Sequence, residues 1–100
     1  MSIDNIGTVI AECELDGQDG GAPCKVFVRF GKPFQNENDD SWCCPYSITS
    51  PRGERIFYGA GVDSLQALRI ALANVSAELT TRYAGFRLKW LNENDLGLFS

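Results

Sequence analysis

The chain has 100 residues, of which 44% are hydrophobic and 22% charged, with a formal net charge of −4. That is the size and balance of a single globular domain spanning residues 1–100, and it excludes a disordered chain. No apolar run approaches the roughly 20 residues that cross a bilayer, and the first twenty residues lack the basic and apolar regions of a signal peptide, so a cytoplasmic protein without membrane contact is expected.

Taken in chain order, Ile6 to Leu15 alternates, with Val9, Ala11, Cys13 and Leu15 on one face and Thr8, Ile10, Glu12 and Glu14 on the other. This is the pattern of a strand with one buried side. Asp16 to Gly21, rich in glycine and aspartate, reads as a turn. Cys24 to Phe30 follows as a second strand, with Val26, Val28 and Phe30 on its apolar face, and completes a hairpin. Lys32 to Ser41 is too polar to drive burial and is expected to be an exposed loop. Trp42 to Thr49 is a third strand, with Trp42, Cys44, Tyr46 and Ile48 on one face. Pro45 has no amide to donate, which places that strand at an edge or a bulge. After a turn at Pro51-Arg52-Gly53, Arg55 to Ala60 forms a fourth strand and a second hairpin.

Residues Ser64 to Tyr83 are predicted to be helical. Asp63 or Ser64 can serve as N-cap; with Asp63 in that role, Gln66 falls at the third helical position, a variant of the capping box. Leu65, Leu68, Leu72, Val75 and Leu79 recur at helical spacing and define the expected buried stripe, with Arg69, Asn74, Glu78 and Arg82 away from it. Gly85 is the expected stop. Phe86 to Leu91 alternates again, as a fifth strand or an extended segment beside the helix, and the tail from Asn92 to Ser100 is expected to tuck back. Strands preceding one helix imply an α+β layer, not a parallel βαβ sheet. The expected fold is therefore a four-stranded antiparallel sheet, five-stranded if residues 86–91 join it, packed on one amphipathic helix in the order ββββα.

Little in this chain carries chemistry. It has no histidine, which removes the commonest general base and metal ligand and every triad built on one. There is no phosphate-cradling glycine loop. Cys13, Cys24, Cys43 and Cys44 are not spaced as zinc ligands, and Cys43 and Cys44 in a strand point to opposite faces, so Cys13 and Cys44 read as small buried hydrophobes. Asn-Glu-Asn-Asp occurs at 36–39 and 92–95, but neither copy continues into a calcium loop. No enzyme, cofactor or metal is expected.

The charge is uneven. Residues 1–50 hold eight acidic and three basic side chains; residues 51–100 hold five and six. An acidic chain repels phosphate backbones, which argues against nucleic acid.

Trp42-Cys43-Cys44-Pro45 with Ile48, then Gly61-Val62-Asp63-Ser64-Leu65-Gln66-Ala67-Leu68, Trp90-Leu91 and Asp95-Leu96-Gly97, together resemble an uncharacterised bacterial family of small proteins, a domain of unknown function. The resemblance covers roughly the second half of the chain and implies no catalytic residues. The same positions have structural reasons to be there, as caps and sheet-filling side chains.

The expected function is a non-catalytic binding protein of the immunity or inhibitor kind, meeting a partner protein with a basic surface. Glu37, Asp39 and Asp40 beside the aromatic Trp42 are the expected partner-binding residues, because charges around an aromatic anchor build interface hot spots. Two other readings stand beside it. One is a small-molecule-binding or phage-type accessory protein, with Tyr46, Phe57, Tyr58 and Trp90 lining a pocket. The other is a homo-oligomeric module, with Phe27 and Phe57 forming an exposed patch for a homodimer.

Overall fold

A computed structural model of the chain describes residues 5–89. The sheet is built from β1 (Val9–Asp19), β2 (Ala22–Gly31), β3 (Phe34–Gln35), β4 (Trp42–Ser50) and β5 (Gly53–Gly61), all paired antiparallel. The helix α1 (Ser64–Thr81) lies across one face, followed by a 3-10 turn at Ala84–Phe86. This is the expected α+β architecture. Among the described residues no helix is long and apolar enough to cross a membrane.

β4 is the centre. It pairs with β5 from Trp42 to Ser50, with β2 at Tyr46–Thr49 and with β3 at Trp42–Cys43. Pro45 is therefore not on an edge strand. On the β2 side the ladder stops at Tyr46 and resumes with β3 at Cys43, so Cys44 and Pro45 fall in the gap, where a missing amide does least harm. The Cys44 thiol occupies that gap and donates to the Gly31 carbonyl at 3.6 Å.

The register fixes the two faces, because side chains alternate along each strand. Leu15, Val26, Val28, Phe30, Cys44, Tyr46 and Ile48 are buried on the helix side, against Ala67, Ala71, Val75 and Leu79. Glu12, Lys25, Phe27, Arg29, Ser47, Ile56 and Tyr58 belong to the other face. Glu12 pairs with Arg29 at 3.0 Å, and Lys25 with both Glu14 and Asp16.

Several sequence expectations shift. The first hairpin closes later than Asp16: both strands run to a two-residue turn at Gly20–Gly21, with φ of 62° and 88°. Two consecutive positive φ values match the twist of the flanking strands, and glycine adopts them without strain. β1 has a bulge between Val9 and Ala11, so the alternation breaks there, leaving Val9 and Ile10 exposed. The fifth strand is β3, inside the polar 32–41 segment. Residues 86–89 instead contribute one bridge, Lys89 to Asp16. The chain reaches that bridge by passing over Gly17, where a Cβ would lie 2.7 Å from the Phe86 carbonyl oxygen. Trp90, Leu91 and the tail lie outside the described residues.

The helix caps as expected. Asp63 accepts from the Gln66 amide at 2.7 Å, and the Gln66 side chain reaches back to the Val62 amide at 2.7 Å. The left-handed residue after it is Arg87, φ 50°, and not Gly85. The buried stripe, however, is Ala67, Ala71, Val75 and Leu79. Leu68 and Leu72 pack only partly, and Leu65 is exposed. The cause is on β5. A Cβ at Gly59 would lie 2.3 Å from the Ala71 nitrogen, and one at Gly61 would lie 2.7 Å from the Ala67 nitrogen. Two glycines on the strand receive two alanines on the helix. The backbones approach more closely than leucines would allow, and the helix rolls to put its small residues underneath.

Candidate functional site at the Trp42 hairpin

β3 and the start of β4 make a short hairpin whose loop, residues 36–41, carries the acidic side chains. The Asn36 amide donates to the Ser41 carbonyl at 2.6 Å, and the Asp40 amide donates to the Asn36 carbonyl at 3.1 Å. The Asn36 side chain accepts from the Asn38 amide, and the Gln35 side chain donates to the Asp40 carbonyl. The segment is thus an exposed hairpin tip with its own bonding. Asp40 sits at φ 59°, a left-handed conformation that aspartate tolerates better than most residues.

The expected binding residues are brought together, but in different roles. Asp39 turns inward: its carboxylate accepts from the Ser41 hydroxyl at 2.6 Å and the Ser41 amide at 3.1 Å. Those bonds, the hydroxyl first, hold its carboxyl below the usual range. Asp39 therefore shapes the turn. The carboxylates of Glu37 and Asp40 have no hydrogen-bond donor among the described residues, and both residues are exposed.

Trp42 is half-buried and packs against the core. Beside it lies an open cleft of about 590 Å³, lined by Trp42, Pro45, Pro33, Phe34, Gln35 and Lys32 on one side and residues 5–8 on the other. The first segment is held there by the Lys32 amide, which donates to the Thr8 carbonyl at 2.9 Å. Phe34 is 41% exposed, a large apolar surface left open at the hairpin base. The sequence marked Trp42 as an anchor but not the walls. Pro33 and Phe34 were hidden inside a stretch that reads as polar loop.

The other sequence candidates separate. Tyr46 is fully buried and donates its hydroxyl to Glu78, so it lines no pocket; Trp90 is outside the described residues. Phe57 pairs with Tyr46 in the register and meets it edge-on, 6.4 Å between ring centres. It is thus on the helix side, while Phe27 is on the opposite face, and the two do not form one patch. Cys43 and Cys44 do point to opposite faces and both are buried, whereas Cys13 is only half-buried. Among the described residues no three metal-ligating side chains converge.

Glu78 is the residue most changed from expectation. It lies away from the leucine stripe, as predicted, yet its side chain is only 14% exposed. It takes a hydrogen bond from the Tyr46 hydroxyl, one from Arg55 Nε, and an ion pair from Arg82 at 3.4 Å.

Comparison of the sequence with protein-family profiles gives a match to Domain of unknown function (DUF6968) over residues 11–99. The chain belongs to this family. The match runs from within β1 through the helix and beyond it, so it takes in the β3–β4 hairpin and one wall of the cleft, while residues 5–8 on the other wall precede it. Neither the curated proteins nor the solved structures contain a match.

Proposed function

We propose that this chain is a non-catalytic bacterial binding protein of the immunity or inhibitor kind, which receives a basic partner protein at the β3–β4 hairpin. One observation carries the reading: two carboxylates with no partner among the described residues, Glu37 and Asp40, stand at the tip of a hairpin whose base is an apolar cleft lined by Trp42 and Phe34. Charged rims speed encounter and select the partner, while a desolvated aromatic supplies affinity. A basic side chain with an apolar neighbour, presented by a loop, matches that surface.

The test is affinity capture followed by a measured Kd for the identified protein. Glu37→Lys with Asp40→Asn is expected to slow association and to weaken its salt dependence. Trp42→Ala is expected to cost about 2 kcal/mol or more, roughly 30-fold in Kd. Circular dichroism of each variant checks that it folds. Capture that survives both changes in folded protein would sink the assignment.

A further inference from the structure

At the far end of β4 from Trp42, roughly 25 Å along the strand, lies a second, more polar pocket of about 320 Å³. Three of the chain's nine basic side chains line it: Arg52 from the β4–β5 turn, Arg55 from β5 and Arg82 from the end of α1. Tyr83 lines it too, with its hydroxyl unbonded among the described residues, and so does Glu54, whose carboxylate takes a hydrogen bond from Thr49 at 3.5 Å.

The arginines are held but not used up. Arg55 and Arg82 each direct Nε at the same Glu78 oxygen, and Glu78 is fixed from below by the Tyr46 hydroxyl. Their terminal nitrogens have no acceptor among the described residues. Arg52 lies over the Phe86 ring, 5.1 Å from its centre, and makes one 3.5 Å contact to the half-buried Asp19. One carboxylate cannot satisfy two guanidinium groups, and each guanidinium carries about five N–H donors in a fixed fork. The result is a set of oriented donors from three elements, on a chain that is acidic as a whole.

We infer that this pocket binds a phosphate group. A tetrahedral dianion offers oxygens in several directions, as donors from three separate elements require, whereas a planar carboxylate is satisfied by one fork. The pocket is larger than a phosphate ion, so it has space for a small group esterified to it. Glu78 acts as a positioning residue, aiming Arg55 and Arg82 through their Nε atoms. This proposal is independent of the hairpin.

Amide chemical shifts followed by NMR during titration with inorganic phosphate, against chloride at matched ionic strength, test it. Saturable shifts are expected at Arg52, Gly53, Arg82 and Tyr83. Arg52→Gln with Arg82→Gln, both at exposed side chains, is expected to keep the fold and weaken binding at least about tenfold. Arg69→Gln, at an exposed position of α1 outside the pocket, is expected to leave it unchanged. Repeating the titration with phenyl phosphate separates the two sources: tighter binding assigns the pocket to a phosphoester, weaker binding to the free ion. Non-saturating shifts, shifts spread over the surface, equal binding of acetate, or equal binding by the double variant would each overturn the proposal.

Discussion

The smallest residues decide the most in this molecule. Gly59 and Gly61 let the helix backbone settle on β5, and nothing larger fits beneath it. Gly59→Ala places a methyl 2.3 Å from the Ala71 nitrogen, so backbone must move against backbone. The expected loss is at or above the top of the ~1–3 kcal/mol range for overpacking, read as a lower urea midpoint. Gly20→Asn is the matched control, because nothing lies within 4 Å of that site and asparagine tolerates its positive φ. This constraint was legible only in part. Leucines at helical spacing outrank alanines in hydrophobicity, so the sequence reads as a leucine stripe. The signal for the true stripe is joint: two glycines two apart on a strand, matched by two alanines four apart on the following helix.

At the scale of elements, the helix was the most readable because its start is written in local chemistry. Asp63→Ala removes the side-chain acceptor for the Gln66 amide and is expected to cost about 1 kcal/mol, measured by thermal unfolding. Gln66→Ala leaves that acceptor in place and removes only the bond to the Val62 amide, so a smaller loss is expected. β3 was not readable. Its two residues owe their strand state to pairing with Cys43 and Trp42, and so short a run shows no period. The candidate site divides the same way. Glu37, Asp40 and Trp42 adjoin in sequence and could be grouped by eye; the arginine pocket draws on residues 52, 55 and 82, and only the basic excess of the second half hints at it.

For the molecule as a whole, the buried and half-buried thiols and phenols bear on the alkaline side of its stability. Burial is the largest cause in each case: it pushes the Cys44 thiol up to about 11 and raises Cys13, Cys43, Tyr83 and Tyr46, the last also through Glu78. Each group keeps its proton more tightly when folded. Its contribution is therefore complete below the unfolded pKa, roughly 8.5 for a thiol, and is lost as pH rises through the folded value. Urea midpoints are expected to hold near neutrality and to fall steadily between about pH 8.5 and 11. Cys44→Ala should lessen that slope whatever it does to the midpoint at pH 7; an unchanged slope would show that the thiol is not the group responsible.

The position of β4 has a consequence for synthesis. β4, β5 and α1 are consecutive, spanning residues 42–81, and they pack on one another with short connections. β1 and β2 emerge from the ribosome first, but the inner edge of β2 has no partner until residues 46–49 are made. The nascent hairpin therefore carries Val26, Val28 and Phe30 uncovered until the second half of the chain follows. The salt-bridged face with Lys25 and Arg29 is the part of it that suits water during that interval.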